Sequence, residues 1–309
     1  MRTLPTLLAG LVLGLAMAAA PASAKTVKVK LTAKEVDVTV DNAGRKYAAW
    51  TFDGEVPGPV VRVTEGDTVE FTLVNAADSK NSHSVDFHAA RVDLAKDFAP
   101  VRPGESKTYT FTADYPGVFY YHCGADSMMQ HIARGMFGVI IVDPKDPNAM
   151  PKADREYVIV QSELYNNPED VATMMANKWD HVVFNGGVFK YDPVHDPNAS
   201  RMLEAKPGER VRIYFVNAGP NEFSSFHPIG GIWDKVYASG NPKNVDAGLQ
   251  SFVVGPGDGA TFDLISPVEG ANALVTHSMR GALTGAVAVL MFSKDASPDA
   301  GKGANILVR

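Results

Sequence analysis

The chain contains short runs in which apolar and polar residues alternate with a period of two. The clearest is residues 68–74, and similar runs occupy residues 36–40, 107–112, 157–160 and 210–216. This alternation predicts β-strands with one buried face, because successive side chains of a strand point to opposite sides. Glycine and proline separate the runs, as is typical of a β-sandwich or barrel. The sequence therefore predicts an all-β fold.

The two halves of the chain repeat each other. Residues 65–76 and 207–218 each contain a glycine turn and a strand ending in Val-Asn-Ala, and residues 103–111 and 256–264 form a second matching pair. A repeat of this length indicates two copies of one domain rather than a solenoid. The predicted domains are residues 25–145 and residues 155–309, joined by a polar linker.

The N-terminus predicts export. Arg2 precedes an apolar run at residues 7–20, and residues 22–24 give the small-x-small pattern that signal peptidase cleaves. We therefore expect a signal peptide at residues 1–24 and a periplasmic mature protein. No later stretch approaches the ~20 apolar residues of a spanning helix, so no membrane association is expected.

One helix is predicted in the second half of the chain. Asn167 is its expected N-cap, Pro168 its first residue, and Glu169 and Asp170 lie in the first turn. Proline and acidic side chains both favour a helix start. We expect this helix to lie on the surface.

Charge and cysteine content restrict the possible partners and chemistry. The net charge is −6, without a basic cluster, which argues against a nucleic-acid partner because phosphate binding needs a basic face. Cys123 is the only cysteine, so an intramolecular disulfide is excluded. A lone thiol in an exported protein is expected to be protected by burial or by a metal.

The strongest chemical signal surrounds this cysteine. His131 follows Cys123, Met136 follows His131, and His83 lies about forty residues upstream. One thiolate, two imidazoles and a thioether form the ligand set that selects copper for electron transfer, since soft sulfur holds Cu(I) and imidazole holds Cu(II). The alternative is a buried free cysteine with unrelated neighbours.

A second site follows from strand geometry. In a strand running from His83 to His88 the two histidines face opposite ways, and Asp86 shares the face of His88. Likewise His122 faces away from Cys123. His88 and His122 then need a third ligand, and His277 occupies the repeat position of His122. Three histidines with an open position predict a catalytic metal site, whereas three separate structural histidines are the alternative.

With these residues in place, the mature chain resembles the copper-containing nitrite reductases, which have two tandem cupredoxin-like Greek-key β-sandwich domains and form homotrimers. The resemblance implies one type 1 and one type 2 copper per subunit. It assigns the type 1 ligands to His83, Cys123, His131 and Met136, and the type 2 ligands to His88, His122 and His277, the last from a neighbouring subunit.

The resemblance also implies the reaction, the one-electron reduction of nitrite to nitric oxide and water. Asp86 and His227 would be the catalytic proton donors, and Ile229 would shape the substrate pocket. The electron would enter at the type 1 copper from a small redox protein, a cytochrome c or a cupredoxin, and pass through the His122–Cys123 link to the type 2 copper.

Two other functions compete with this interpretation. A two-domain laccase-like oxidase needs a His-Cys-His triplet, but Gly124 follows Cys123. A non-catalytic cupredoxin electron carrier would need neither Asp86 nor His227. Gln130 replaces an aromatic residue found in several family members, so the identity of the electron donor stays open.

Overall fold

A computed structural model describes residues 24–199 and 201–307. The predicted signal peptide, apart from Ala24, lies outside these residues. Strands dominate the described chain, which confirms the all-β prediction. The strands of the first half are β1 Thr26–Thr39, β2 Lys46–Phe52, β3 Val61–Thr64, β4 Thr68–Asn75, β5 Asp86–Phe87, β6 Ser106–Thr112, β7 Gly117–His122 and β8 Phe137–Asp143.

The second half holds eleven further strands within the described residues. They are β9 Arg155–Leu164, β10 His181–Phe184, β11 Leu203–Ala205, β12 Arg210–Gly219, β13 Ser224–Ile229, β14 Trp233–Ala238, β15 Val245–Leu249, β16 Phe252–Val254, β17 Gly259–Ile265, β18 Gly270–Thr276 and β19 Val287–Phe292. The short helices are α1 Leu94–Asp97, α2 Met128–Ala133, α3 Val171–Met175 and α4 Met279–Ala282, followed by a 3₁₀ turn at Gly303–Ile306.

Each half is a sandwich of two sheets. In the first half, the sheet with strand order β2-β1-β4-β6 packs on the sheet with order β3-β8-β7-β5. In the second half, the two sheets have the orders β10-β9-β12-β17-β14-β15 and β11-β19-β18-β13-β16. In β4 every second residue is buried, as the alternation predicted. Residues 144–154 connect the halves without a strand or helix. The tandem sandwich prediction is therefore confirmed, while the domain boundaries themselves stay predictions.

Strand β7 separates two cores and so decides where the functional side chains point. Tyr121 and Cys123 belong to the core inside the first sandwich. Val118 and Tyr120 belong to another core, in which β7 and β8 pack against strands β9 and β12 of the second sandwich. His122, at the end of β7, stacks on Tyr120 with ring centroids 4.7 Å apart. Successive residues of β7 therefore point towards different cores.

The predicted helix begins later than expected. Asp170 is the N-cap of α3, and its carboxylate accepts a hydrogen bond from the N–H of Thr173. Asn167 instead accepts from the N–H of Glu169, which closes a local turn before the helix starts. The prediction of Asn167 as N-cap is thus wrong, because two side chains compete to cap the same segment and the later one starts the helix.

The strand predicted from His83 to His88 is also shorter than expected. Only Asp86 and Phe87 form β5, which pairs with β7. His83 forms an isolated antiparallel bridge with Val101. The segment therefore bends between two partners instead of continuing along one sheet.

None of the helices in the described residues has the length and apolar character that a membrane span requires.

Candidate metal centre

Three of the predicted ligands form a buried cluster. The Sγ of Cys123 lies 3.1 Å from Nδ1 of His131 and 4.0 Å from Nδ1 of His83, and the two Nδ1 atoms are 3.3 Å apart. All three residues are buried. Three donor atoms that converge this closely are arranged for one metal ion, and one thiolate with two imidazoles fits copper.

Hydrogen bonds from the backbone hold this cluster in place. The N–H of Ser84 points at Sγ of Cys123 from 3.3 Å, and the hydroxyl of Ser84 accepts from the N–H of Gly124 at 3.0 Å. Met136 is fully buried in the same core, and its carbonyl accepts the N–H of Cys123 at 3.0 Å. The fourth predicted ligand thus lies on the chain segment bonded directly to the cysteine.

Burial sets the protonation of these groups in the metal-free protein. Burial raises the pKa of the Cys123 thiol and lowers the pKa of His83. Burial and the neighbouring His83 together lower the pKa of His131 to about 4. Neutral imidazoles are ready to bind a metal, whereas the thiol has to lose its proton, which a bound metal ion favours.

Sequence reasoning missed an aromatic residue at this cluster. The ring of Trp50 lies 4.6 Å from that of His131 and 5.9 Å from that of His83, edge-on to both. The guanidinium of Arg134 covers Trp50 at 4.2 Å. Trp50 lies on β2, distant in sequence from every ligand, so no local motif could have identified it.

A second cluster lies on the other side of β7. Nε2 of His122 is 3.1 Å from Nε2 of His88 and 3.8 Å from a carboxylate oxygen of Asp86. His122 is buried, Asp86 is half-buried and His88 is exposed. This cluster is therefore open on one side, in contrast to the closed cluster around Cys123.

The tautomer of His122 follows from its backbone contact. Nδ1 of His122 lies 3.0 Å from the carbonyl oxygen of Cys123. A carbonyl can only accept, so Nδ1 carries the proton and Nε2 presents a lone pair towards His88. Burial also lowers the pKa of His122, which keeps this lone pair available.

The remaining predicted residues form a separate group on the second sandwich. The rings of His227 and His277 are 5.5 Å apart, and Ile229 follows on the same strand with 49% of its surface exposed. His277 does not join the cluster of Asp86, His88 and His122 within this chain. Beside His88 the chain's own second sandwich presents Gly257 instead, where an added Cβ would lie 3.5 Å from the ring.

Comparison with known proteins gives a consistent family. A family described as multicopper oxidase matches residues 32–147. The copper-containing nitrite reductase of Neisseria meningitidis serogroup B is 41% identical over 263 residues, 82% of this chain and 65% of that protein. That of Neorhizobium galegae is 33% identical over 282 residues, 82% of this chain and 72% of that protein.

A solved structure agrees with these relatives. The copper nitrite reductase from Nitrosomonas europaea is 71% identical with a TM-score of 0.91, and the match covers 92% of this chain and 100% of that chain. The chain belongs to the copper-containing nitrite reductases. Its two sandwiches are therefore tandem cupredoxin domains. The chain spans about 65% of the length of the Neisseria relative, whereas it spans the whole Nitrosomonas structure.

Proposed function

We propose that this chain is a periplasmic copper nitrite reductase. The reaction is NO₂⁻ + e⁻ + 2H⁺ → NO + H₂O. The observation that carries the proposal is the pair of donor clusters on opposite sides of β7, one closed and one open, joined by the bond between His122 and Cys123. An electron-transfer ion needs a closed site and a catalytic ion needs an open one.

Copper would supply the redox chemistry at both clusters. His83, Cys123, His131 and Met136 would hold a type 1 ion away from water. The backbone from Cys123 to His122 then offers a covalent electron route between the two ligand sets. The hydrogen bond from His122 to the Cys123 carbonyl adds a second contact along this route.

The second ligand set is incomplete in one chain. His88 and His122 supply two imidazoles, and the exposed His277 is turned to solvent on the other domain. Because the chain's own second domain presents Gly257 at His88, we propose that His277 comes from a neighbouring subunit. Repetition of this exchange around a closed ring of three subunits would give a homotrimer, with a type 2 site at each of its interfaces.

Two side chains would deliver the protons. Asp86 lies beside His122 at 3.8 Å. His227 hydrogen-bonds through Nδ1 to the carbonyl of Gln250, which leaves Nε2 free to exchange a proton. In the assembled interface Asp86 and His227 would reach nitrite from two subunits. The exposed Ile229 would form the apolar wall of the substrate pocket.

The electron donor would approach the type 1 site near α2. Met128 on α2 and Met175 on α3 are 48% and 67% exposed, and the side chain of Gln130 ties α2 to the carbonyl of Pro168. We propose a cytochrome c or a small cupredoxin as donor. Exposed methionines offer the adaptable apolar surface that transient redox contacts use.

The test measures copper content, electron paramagnetic resonance and nitric oxide release from nitrite with a reduced artificial donor. We expect two coppers per chain with distinct signals. Asp86→Asn should keep both coppers and lower nitric oxide formation by roughly 10²-fold or more, the range for loss of a general acid. Asp114→Asn, which loses only an exposed contact with Arg91, is the matched control.

Two outcomes would contradict the proposal. One copper per chain under metal-replete conditions, without nitric oxide, would leave an electron carrier. Full activity of Asp86→Asn would remove Asp86 from proton delivery. Sedimentation of the purified protein tests the trimer, and His277→Ala should remove the type 2 signal while the type 1 signal persists.

A further inference from the structure

The outer nitrogen of His83 faces a carboxylate that the sequence did not indicate. Nδ1 of His83 points into the cysteine cluster, so Nε2 points away from it. Nε2 is fully buried and has no hydrogen-bond partner among the described residues. Oε1 of Glu35 lies 3.5 Å from it, at the limit of hydrogen bonding. A buried N–H without a full partner is uncommon and calls for an explanation.

Glu35 is itself held rigidly. It lies on β1, and its Oε1 accepts from the N–H of Lys80, the N–H of Asn81 and the side-chain amide of Asn81, each at 2.9 Å. Burial raises the pKa of Glu35, but these hydrogen bonds outweigh burial and leave the pKa below its usual value. The carboxylate is therefore fixed in place and negatively charged beside the ligand.

We propose that Glu35 is a positioning residue of the type 1 site, which orients His83 through Nε2 and favours the oxidised metal ion. This inference rests on the proposed function. Metal-bound imidazoles commonly donate their other N–H to a carboxylate, which fixes the ring and strengthens the ligand. A negative charge close to the site also stabilises Cu(II) more than Cu(I), because the oxidised ion carries the larger positive charge.

Another acidic residue on β1 provides a matched control. Asp37 lies two positions along β1, on the same face as Glu35, and lines the same surface recess. Unlike Glu35, it is exposed. Asp37→Asn therefore removes the same charge from the same strand without touching His83. A comparison of the two variants separates the specific contact from a general charge effect.

The experiment is a redox titration of the type 1 copper, followed by visible absorption without nitrite. Glu35→Gln should raise the reduction potential by about 59 mV or more, a tenfold shift between Cu(II) and Cu(I). Asp37→Asn should shift it clearly less. Glu35→Asp keeps the charge but withdraws it by one methylene, so its potential should lie between wild type and Glu35→Gln.

The outcomes separate this inference from the proposed function. Equal shifts in Glu35→Gln and Asp37→Asn, or an unchanged potential in Glu35→Gln, would overturn the role of Glu35 and leave the proposed function standing. A wild-type protein without a thiolate–copper absorption band would overturn the proposed function and this inference with it.

Discussion

The two domains share one frame but differ at the position of the cysteine. In domain 1 the amide of Asn75 donates to the carbonyls of Asn81 and Val101, and Val101 bridges to His83. In domain 2 the amide of Asn217 makes the same two bonds, to the carbonyls of Glu222 and Val254. Val254 pairs with Ser224, which therefore stands where His83 stands. The backbone arrangement is thus repeated.

The side chains at this shared position differ in chemistry. Ser278 replaces Cys123, and its hydroxyl donates to a carboxylate oxygen of Glu222 at 2.9 Å. Trp179 donates to the other oxygen at 3.1 Å, and Arg280 covers Trp179 at 3.8 Å. Domain 2 fills the ligand position with a hydrogen-bonded network. The same backbone frame therefore forms around two different sets of side chains, and only the set in domain 1 could hold a metal.

The largest expected effect comes from making domain 1 resemble domain 2. Cys123→Ser should abolish the thiolate–copper absorption and reduce nitrite reduction to assay background, because a hydroxyl does not supply the soft ligand that Cu(I) needs. The type 2 signal should persist, since His88 and His122 are untouched. Retention of an intense visible band in Cys123→Ser would contradict the ligand assignment.

The reciprocal change is the control. Ser278→Cys places a thiol in domain 2, where Ser224 replaces the histidine and Glu222 occupies the space beside it. No new visible band and no additional copper are expected. A second thiolate–copper band would show that the cysteine alone makes the difference between the two domains.

In the metal-free protein, acid should destabilise domain 1 more than domain 2. The pKa of His131 is lowered to about 4 from 6.5, so the unfolded chain binds more protons and domain 1 loses stability as the pH falls from about 6.5 towards 4. The full loss from His131 is roughly 3 kcal/mol. Denaturant unfolding of the metal-free protein between pH 7 and pH 4.5 measures this loss.

The domain 2 transition serves as the internal reference for this experiment. In domain 2 the positions of His83 and Cys123 carry Ser224 and Ser278. Gly281 takes the place of His131, because its carbonyl accepts from the N–H of Ala286 as that of His131 accepts from Met136. None of these three residues titrates in this range. His131→Gln should reduce the pH dependence of the domain 1 transition, and His83 and His122, whose pKa values burial also lowers, should carry the remainder. An unchanged pH dependence in His131→Gln would show that the acid effect arises elsewhere.

The smallest expected effect tests the shared frame itself. Asn75→Ala and Asn217→Ala each remove two side-chain hydrogen bonds to carbonyls, one of them buried, which should lower the free energy of unfolding by about 2 kcal/mol. Only Asn75→Ala should also change the type 1 absorption, because Val101 connects Asn75 to His83. Chemical denaturation and visible spectra of the copper-loaded variants check both parts. Equal spectral changes in both variants would refute this coupling.

Much of the fold was predictable from local pattern. The alternation at residues 68–74 became β4, and the Val-Asn-Ala repeat marked Asn75 and Asn217, although their shared hydrogen bonds were not foreseen. The helix start was misjudged, since Asn167 and Asp170 are both good caps and their competition is settled by small energy differences. Local signals therefore give elements more reliably than their ends.

The donor set around Cys123 is predictable from the sequence alone. Cys123, His131 and Met136 lie close together in the chain, so their spacing alone predicts a copper site. The residues that surround this set are visible only in the folded chain. Trp50 and Glu35 reach it from β2 and β1, because strands distant in sequence meet in a sandwich. The same reason places Gly257 rather than His277 beside His88: packing between domains depends on the whole surface, and no local spacing encodes it.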